Sequence, residues 1–238
     1  MTPLETVAGI FVYFLGCTIQ GTLGFGANLL AVPTLALINP EFVPGPVLLV
    51  NPVLTALLSY RERGEVQSRT LGWLILGRIP GIALGITALS LISEERIELL
   101  FALLLLIAIG LRSSGFQLPR NFGTVTGAGL ASGFMGTTVG VGGPPVAIVL
   151  SDLPGATFRA TISPFFLFGT LLSLLGLSFA GKFDLHDLAT GLWLLPGVFV
   201  GVIASGPLRP YLDTGRTSSA VYMFSTVAAI ALLIRSLI

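Results

Sequence analysis

The chain has 238 residues, 53% hydrophobic and 10% charged, with a net charge of +1 and a mean hydropathy of +0.95. A soluble domain carries about 25% charged residues, so the composition excludes one, and the even charge balance offers no basic face to a nucleic acid. One cysteine, Cys17, and one histidine, His186, exclude an intramolecular disulfide; no Cys/His metal site and no cofactor are expected.

Apolar runs recur from end to end without alternating, so they read as helices crossing a hydrocarbon core of about 30 Å rather than as barrel strands. The N-terminal MTPLET has no basic region and no small-residue cleavage site, and the first segment is expected to be kept. That segment, 6–38, would run roughly 50 Å as one straight helix at about 1.5 Å per residue, so it must tilt, project or break. The phrase GTLGFGANLLAVP at 21–33 supplies the break, because glycine is the poorest helix former after proline and accepts positive φ.

The second segment, 43–60, contains Asn51-Pro52, and the third, 70–91, carries Arg78 just before Pro80-Gly81. Arg78 is the one cation well inside a predicted span. It is a candidate anion ligand beside a Pro-Gly break, unless it snorkels to the headgroups or meets a carbonyl. The fourth segment is 96–112. The fifth, 122–150, repeats the oddity of the first with GTTVGVGGPPVAIV at 136–149, where Pro144 and Pro145 both lack an N–H. Segments at 160–180, with Ser163-Pro164, 188–208 and 217–235 complete the chain, and no polar connection is long enough for a soluble domain. The fold class is therefore all-α: a multi-pass protein of the cell membrane with seven or eight hydrophobic segments, more if the broken ones count twice.

Slid on itself by 116 residues, the chain places Gly24-Phe25-Gly26 on Gly140-Val141-Gly142, and residues 79–85 on 195–201; Asn51-Pro52 meets Ser163-Pro164 at a shift of 112. It reads as two homologous repeats, 1–115 and 116–238, in one membrane domain, each starting with a Gly/Pro-broken segment. If every segment crosses, Arg61, Arg63, Arg69, Arg112, Arg120, Lys182 and Arg235 face Arg96, Arg159, Arg209 and Arg216, a split of 7 to 4. If the two broken segments dip in and return, Arg159, Arg209 and Arg216 change sides with Lys182 and Arg235, and the split becomes 8 to 3. The positive-inside rule favours the re-entrant arrangement by one charge, and it would invert the halves as in many secondary transporters.

Broken backbone at membrane depth is tolerated where it is buried in protein or lines a watery cavity, so a paired break marks a site. Half-helix N-termini suit a small anion. Gly24, Gly26, Gly140, Gly142 and Gly143 would let backbone approach it, with Thr22, Asn28, Thr137 and Thr138 as neutral partners. Asn51 and Ser163 would add polar groups near kinks, as ligand contacts or as helix caps. The competing reading of the glycines is close helix packing. Neither phrase is a phosphate loop. Glu5, Glu41, Glu94, Glu95, Glu98, Asp152, Asp184, Asp187 and Asp213 sit near segment ends or in loops, so no carboxylate is expected to carry protons through the middle. Cys17 is expected to pack, and His186 to be a solvated loop residue or a surface pH-sensitive group.

These residues point to a transporter, not an enzyme: a small anion moves by alternating access through a site where the broken segments meet, within the lipid bilayer. A coupling ion (H⁺ or Na⁺) and oligomerisation stay open. The rivals are an anion channel of the same architecture, a scaffold that transports nothing, and an intramembrane hydrolase using Ser132, which lacks a base within reach. The paired phrases, the two-half layout and the length resemble the TauE/SafE family of sulfite and organosulfonate exporters. Residues 136–145 match the family's glycine cluster, whereas Ala27 and Asn28 stand where further glycines are common. The resemblance implies a multi-pass permease for sulfur-containing oxyanions such as sulfite, sulfoacetate or other organosulfonates.

Overall fold

Caps and glycines set the helix boundaries in the computed structural model, which describes residues 2–62, 64–92, 94–113, 115, 118–212, 223, 226–231 and 233–234. Helix α1 (Pro3–Leu23) begins on a Thr2/Glu5 capping box and ends at Gly24, whose φ is 93°. Gly26, at φ 111°, opens α2 (Ala27–Ile38). Both angles lie in the left-handed region that a side chain disfavours, so the chain turns where the glycines permit it. A 3₁₀ turn (Pro40–Phe42) leads to α3 (Gly45–Arg61), followed by α4 (Ser68–Leu91) and α5 (Glu94–Ser113). Asn121 and Thr124 form a second capping box at the start of α6 (Phe122–Thr138). After Gly140, at φ 73°, come α7 (Gly143–Val149), α8 (Gly155–Phe179) and α9 (Leu185–Leu212).

Among the described residues, four helices are long and apolar enough to cross a membrane: α1, α4, α8 and α9 as far as Arg209. No strand occurs among the described residues. Most of the segment 217–235 lies outside the described residues, as do Arg63, Asp213, Arg216 and Arg235 and the side chains of Glu94, Glu95, Arg96, Glu98 and Arg112.

Three sequence expectations are corrected. Helix α4 runs unbroken through Pro80-Gly81, so Arg78 is not beside a break. Asn51 and Ser163 lie inside α3 and α8, each before a proline that the helix absorbs, and neither is a cap. His186 belongs to the first turn of α9 rather than to a loop, exposed, with Nε2 3.5 Å from Glu41 Oε2.

Two helix pairs run parallel with their backbones nearly touching. In α1–α9, a Cβ added to Gly201 would lie 2.6 Å from the Phe14 carbonyl oxygen, and one on Gly197 would overlap that of Ile10. In α4–α6, added Cβ atoms on Gly77 and Gly81 would overlap the carbonyls of Thr126 and Leu130. Apolar side chains gain little from one another where lipid tails compete, so close backbone packing is the available source of cohesion.

Both broken segments double back. Past α2, the Phe42 ring lies against Gly9 near the start of α1. Past α7, Asp152 pairs with Arg120, which precedes α6, at 3.2 Å. The ends of α1, α3 and α9 lie together through Gly21, Arg61 and Ser205. The start of α8 joins them through Arg159, and α4 and α6 start side by side through Trp73 and Phe122. Thus α1 runs toward this face and α6 away from it. Their tips overlap where the ring of Phe25 meets Gly143 and where Asn28 Nδ2 donates to the Gly140 carbonyl at 2.6 Å.

The burial pattern is that of a protein in lipid. Leu4, Phe11, Trp193 and Ile203 are exposed on the outside, while Gln20, Asn28, Asn51, Thr55, Arg78 and Ser132 are buried inside.

Candidate functional site

Where the two tips meet, a cavity of about 40 Å³ opens between α1, α2, α3, α4, α6, α7 and α8. A single water needs about 10–15 Å³ by the same measure, so the space suits a few waters or one small ion. Seven of the twelve residues singled out in the sequence line it: Gly26, Asn28, Asn51, Arg78, Gly140, Gly142 and Gly143. Gln20, Phe25, Thr55, Phe166 and Thr170 complete much of the wall. No carboxylate lines it among the described residues.

Arg78 dominates the electrostatics. Its side chain leaves α4 and is 1% exposed. Nη1 donates to Ser132 Oγ at 2.8 Å, and Ser132 Oγ donates to the Gly142 carbonyl at 2.6 Å. The guanidinium carbon sits 4.6 Å from the Phe165 ring centroid and 5.8 Å from that of Phe166. Nε is buried without an acceptor, and no carboxylate pairs with the group among the described residues. A buried cation costs several kcal/mol unless it is paired, and aromatic faces and one hydroxyl repay only part of that. An anion in the cavity would supply the remainder.

The route of this side chain depends on Gly169 of α8, a residue the sequence reading passed over. A Cβ there would overlap Arg78 Nε and Cζ. Gly136 of α6 also faces the group, less tightly, with an added Cβ 3.2 Å from Arg78 Nη2.

Helix N-termini contribute less than the sequence suggested. Gln20 Oε1 already accepts the Ala27 N–H at 3.2 Å, which caps the start of α2. Helix α7 has seven residues, and two in its first turn, Pro144 and Pro145, have no N–H to offer. The guanidinium is the principal anion-attracting group.

The other sequence candidates lie outside the cavity wall. The Thr22 hydroxyl donates to the Thr18 carbonyl, and Thr137 Oγ1 shares a hydrogen bond with Ser173 Oγ at 2.7 Å. Thr138 Oγ1 donates to Phe134 O at 2.8 Å. Gly24 packs under Arg159 and Phe158, and Ser163 is buried within α8. The Ser132 hydroxyl meets a guanidinium and a carbonyl, neither of which can act as a general base.

Sequence reasoning also passed over Glu62, at the end of α3, whose side chain is only 4% exposed. Arg159 Nε donates to its Oε2 at 3.0 Å, Arg209 Nη2 donates to its Oε1, and Arg61 Nη2 lies 3.4 Å from Oε1. Burial alone would raise this carboxyl, but the hydrogen bonds from Arg159 and Arg209 outweigh it and hold the group below the ordinary carboxylate range.

The profile of the family described as "Sulfite exporter TauE/SafE" matches residues 9–232. No curated protein and no solved structure matches the chain.

Proposed function

The chain belongs to the TauE/SafE sulfite exporter family of membrane transporters and is a multi-pass integral membrane protein; from that premise we propose that it moves a small sulfur-containing oxyanion, sulfite or an organosulfonate, by alternating access. The cavity between the two broken segments is the substrate site in this reading. Arg78 supplies the charge, while Asn28, Asn51, Thr55 and Thr170 supply neutral hydrogen bonds. The observation that carries it is the buried Arg78 guanidinium, which reaches the cavity with Nε unmatched and without a carboxylate partner among the described residues.

The fold enters the mechanism as two inverted repeats, 1–115 and 116–238. Three observations support this. Each broken segment returns to the side from which it came; α1 and α6 run in opposite directions; and Arg61, Arg159 and Arg209 meet on one carboxylate. The last supports re-entry over full crossing of all eight segments, which would put Arg61 on the opposite side from the other two. Alternating access then rocks one half against the other around the overlapping tips.

Counterflow of labelled sulfite in proteoliposomes tests the reading. The wild type is expected to show saturable exchange accelerated by sulfite on the far side, which a channel would not show. Arg78→Gln is expected to abolish it. So is Gly142→Leu, because even a Cβ there would lie 2.7 Å from the Ser132 carbonyl oxygen. Undiminished exchange in a well-folded Arg78→Gln protein would sink the assignment.

A further inference from the structure

The cluster around Glu62 has the make-up of an anion site filled by the chain's own carboxylate. Three guanidinium groups, from the ends of α3 and α9 and the start of α8, converge on one carboxylate, three cations against one anion among the described residues. Donors outnumber acceptors there: Nε of Arg61 and of Arg209 are buried with no partner among the described residues. The remaining partners of these two arginines are weak neutral ones, the carbonyls of Gly21 and Val202 and the hydroxyl of Ser205. A group built only to hold helices together would be expected to balance its charges, because each uncompensated cation drawn partly out of water costs free energy. A sulfur oxyanion, with more acceptor oxygens than a carboxylate, would match this donor set better.

Position links the cluster to the cavity. The stem of Arg159 lies over Gly24, with Cγ 2.7 Å from where a Cβ would stand. Its neighbour Phe158 meets Phe25 edge-on, with ring centroids 5.9 Å apart, and Phe25 lines the cavity. One aromatic layer therefore separates the two sites. Glu62 itself follows the last residue of α3 in an extended conformation, φ −75° and ψ 127°, so its tether is a connection and not a helix interior. Arg61 and Arg209 are 27% and 31% exposed, so water reaches the cluster from the face where α3 and α9 end.

We propose that Arg61, Arg159 and Arg209 form a second anion site, at the mouth of the path to the cavity, which binds the same class of small sulfur oxyanion and is held by the Glu62 carboxylate until substrate displaces it. The proposal rests on the reading of the cavity as the transport site, but its test does not require transport.

Thermal unfolding of the purified protein is followed against sulfite, with chloride at matched ionic strength as the control. A ligand bound only by the folded state stabilises it in proportion to its occupancy. Glu62→Ala vacates the three arginines and is expected to be stabilised by sulfite at concentrations about tenfold or more below those the wild type requires. The gain is expected to persist in Glu62→Ala/Arg78→Gln and to vanish in Glu62→Ala/Arg159→Gln. Glu62→Gln keeps the side-chain shape and is expected to show the same order; it is the variant to read if Glu62→Ala does not fold. Equal sulfite responses in wild type and both variants, or a gain that survives Arg159→Gln, overturn the second site. Failure of the wild type to exchange sulfite, alongside an Arg159-dependent gain in Glu62→Ala, would instead overturn the cavity reading alone.

Discussion

Replacing Gly169 with alanine probes the site without removing any polar group. The added methyl would occupy the space of Arg78 Nε and Cζ, so the guanidinium must move. It has little room: Arg78 is 1% exposed and enclosed by Ser132, Gly136, Phe165 and Phe166. Moving means giving up the 2.8 Å bond to Ser132, of a kind worth about 1.5–3 kcal/mol when one partner is charged. It also loosens the contact with the Phe165 ring, about 2 kcal/mol for a desolvated cation. A guanidinium drawn away from the cavity forfeits a similar charged hydrogen bond to the anion, which raises the KM for sulfite by roughly 10- to 150-fold. Counterflow kinetics measure this, with thermal unfolding in parallel. Gly72→Ala and Gly206→Ala are the controls, since an added Cβ at either meets nothing within 4 Å. They are expected to keep the wild-type KM and to gain up to about 1 kcal/mol from helix propensity. A Gly169→Ala protein with unaltered KM and unfolding would refute the placement of Arg78.

Gly81→Val is expected to destabilise the fold by at least the roughly 1–3 kcal/mol of ordinary overpacking, because the obstacle is the Leu130 carbonyl of α6 and not a movable side chain; a thermal midpoint equal to that of the wild type would show that α4 and α6 are not in backbone contact. The Glu62 carboxyl titrates below its ordinary value in the folded protein, so the stability it adds is fully present above the unfolded value of about 4.3 and is lost as pH falls through the lower folded value. Acid unfolding curves should therefore lose this limb in Glu62→Gln, and an identical acid limb in the two proteins would contradict the pairing.

The chain disclosed its breaks because their cause is local. Positive φ at Gly24, Gly26 and Gly140 needs glycine, and Pro144-Pro145 cannot continue a helix from α6, so the residues at the break state its position. Arg78 was legible for a related reason, being a lone cation in an apolar run. Gly169 was not, because its necessity comes from α4 crossing α8, which no local pattern records. Glu62 was hidden by its surroundings. In the stretch RERGE it resembles any solvated connection, and the partners that bury it, Arg159 and Arg209, are 97 and 147 residues away in the chain. The helix N-termini misled in the opposite direction, since Gln20 and the two prolines remove donors that a terminus would otherwise present.

The spacing between the two proposed repeats shows most clearly what glycine patterns can and cannot fix. Sliding the sequence pairs Gly81 and Gly85 with Gly197 and Gly201, a shift of 116. Packing pairs them differently. Gly77 meets Thr126 and Gly81 meets Leu130, as Gly197 meets Ile10 and Gly201 meets Phe14. On those contacts α6 stands to α1 at 116 (126 − 10), but α4 stands to α9 at 120 (197 − 77). Four residues are close to one turn of about 3.6, so a slip of four keeps the same face toward the partner helix. A row of glycines four apart satisfies both registers, and sequence alone had no means to choose. In the packed register the counterpart of Arg78 is Val198, and in the sequence register it is Leu194. On the two-repeat reading the charge exists in one half only in either register, in keeping with a cavity lined by a single guanidinium and not a symmetric pair.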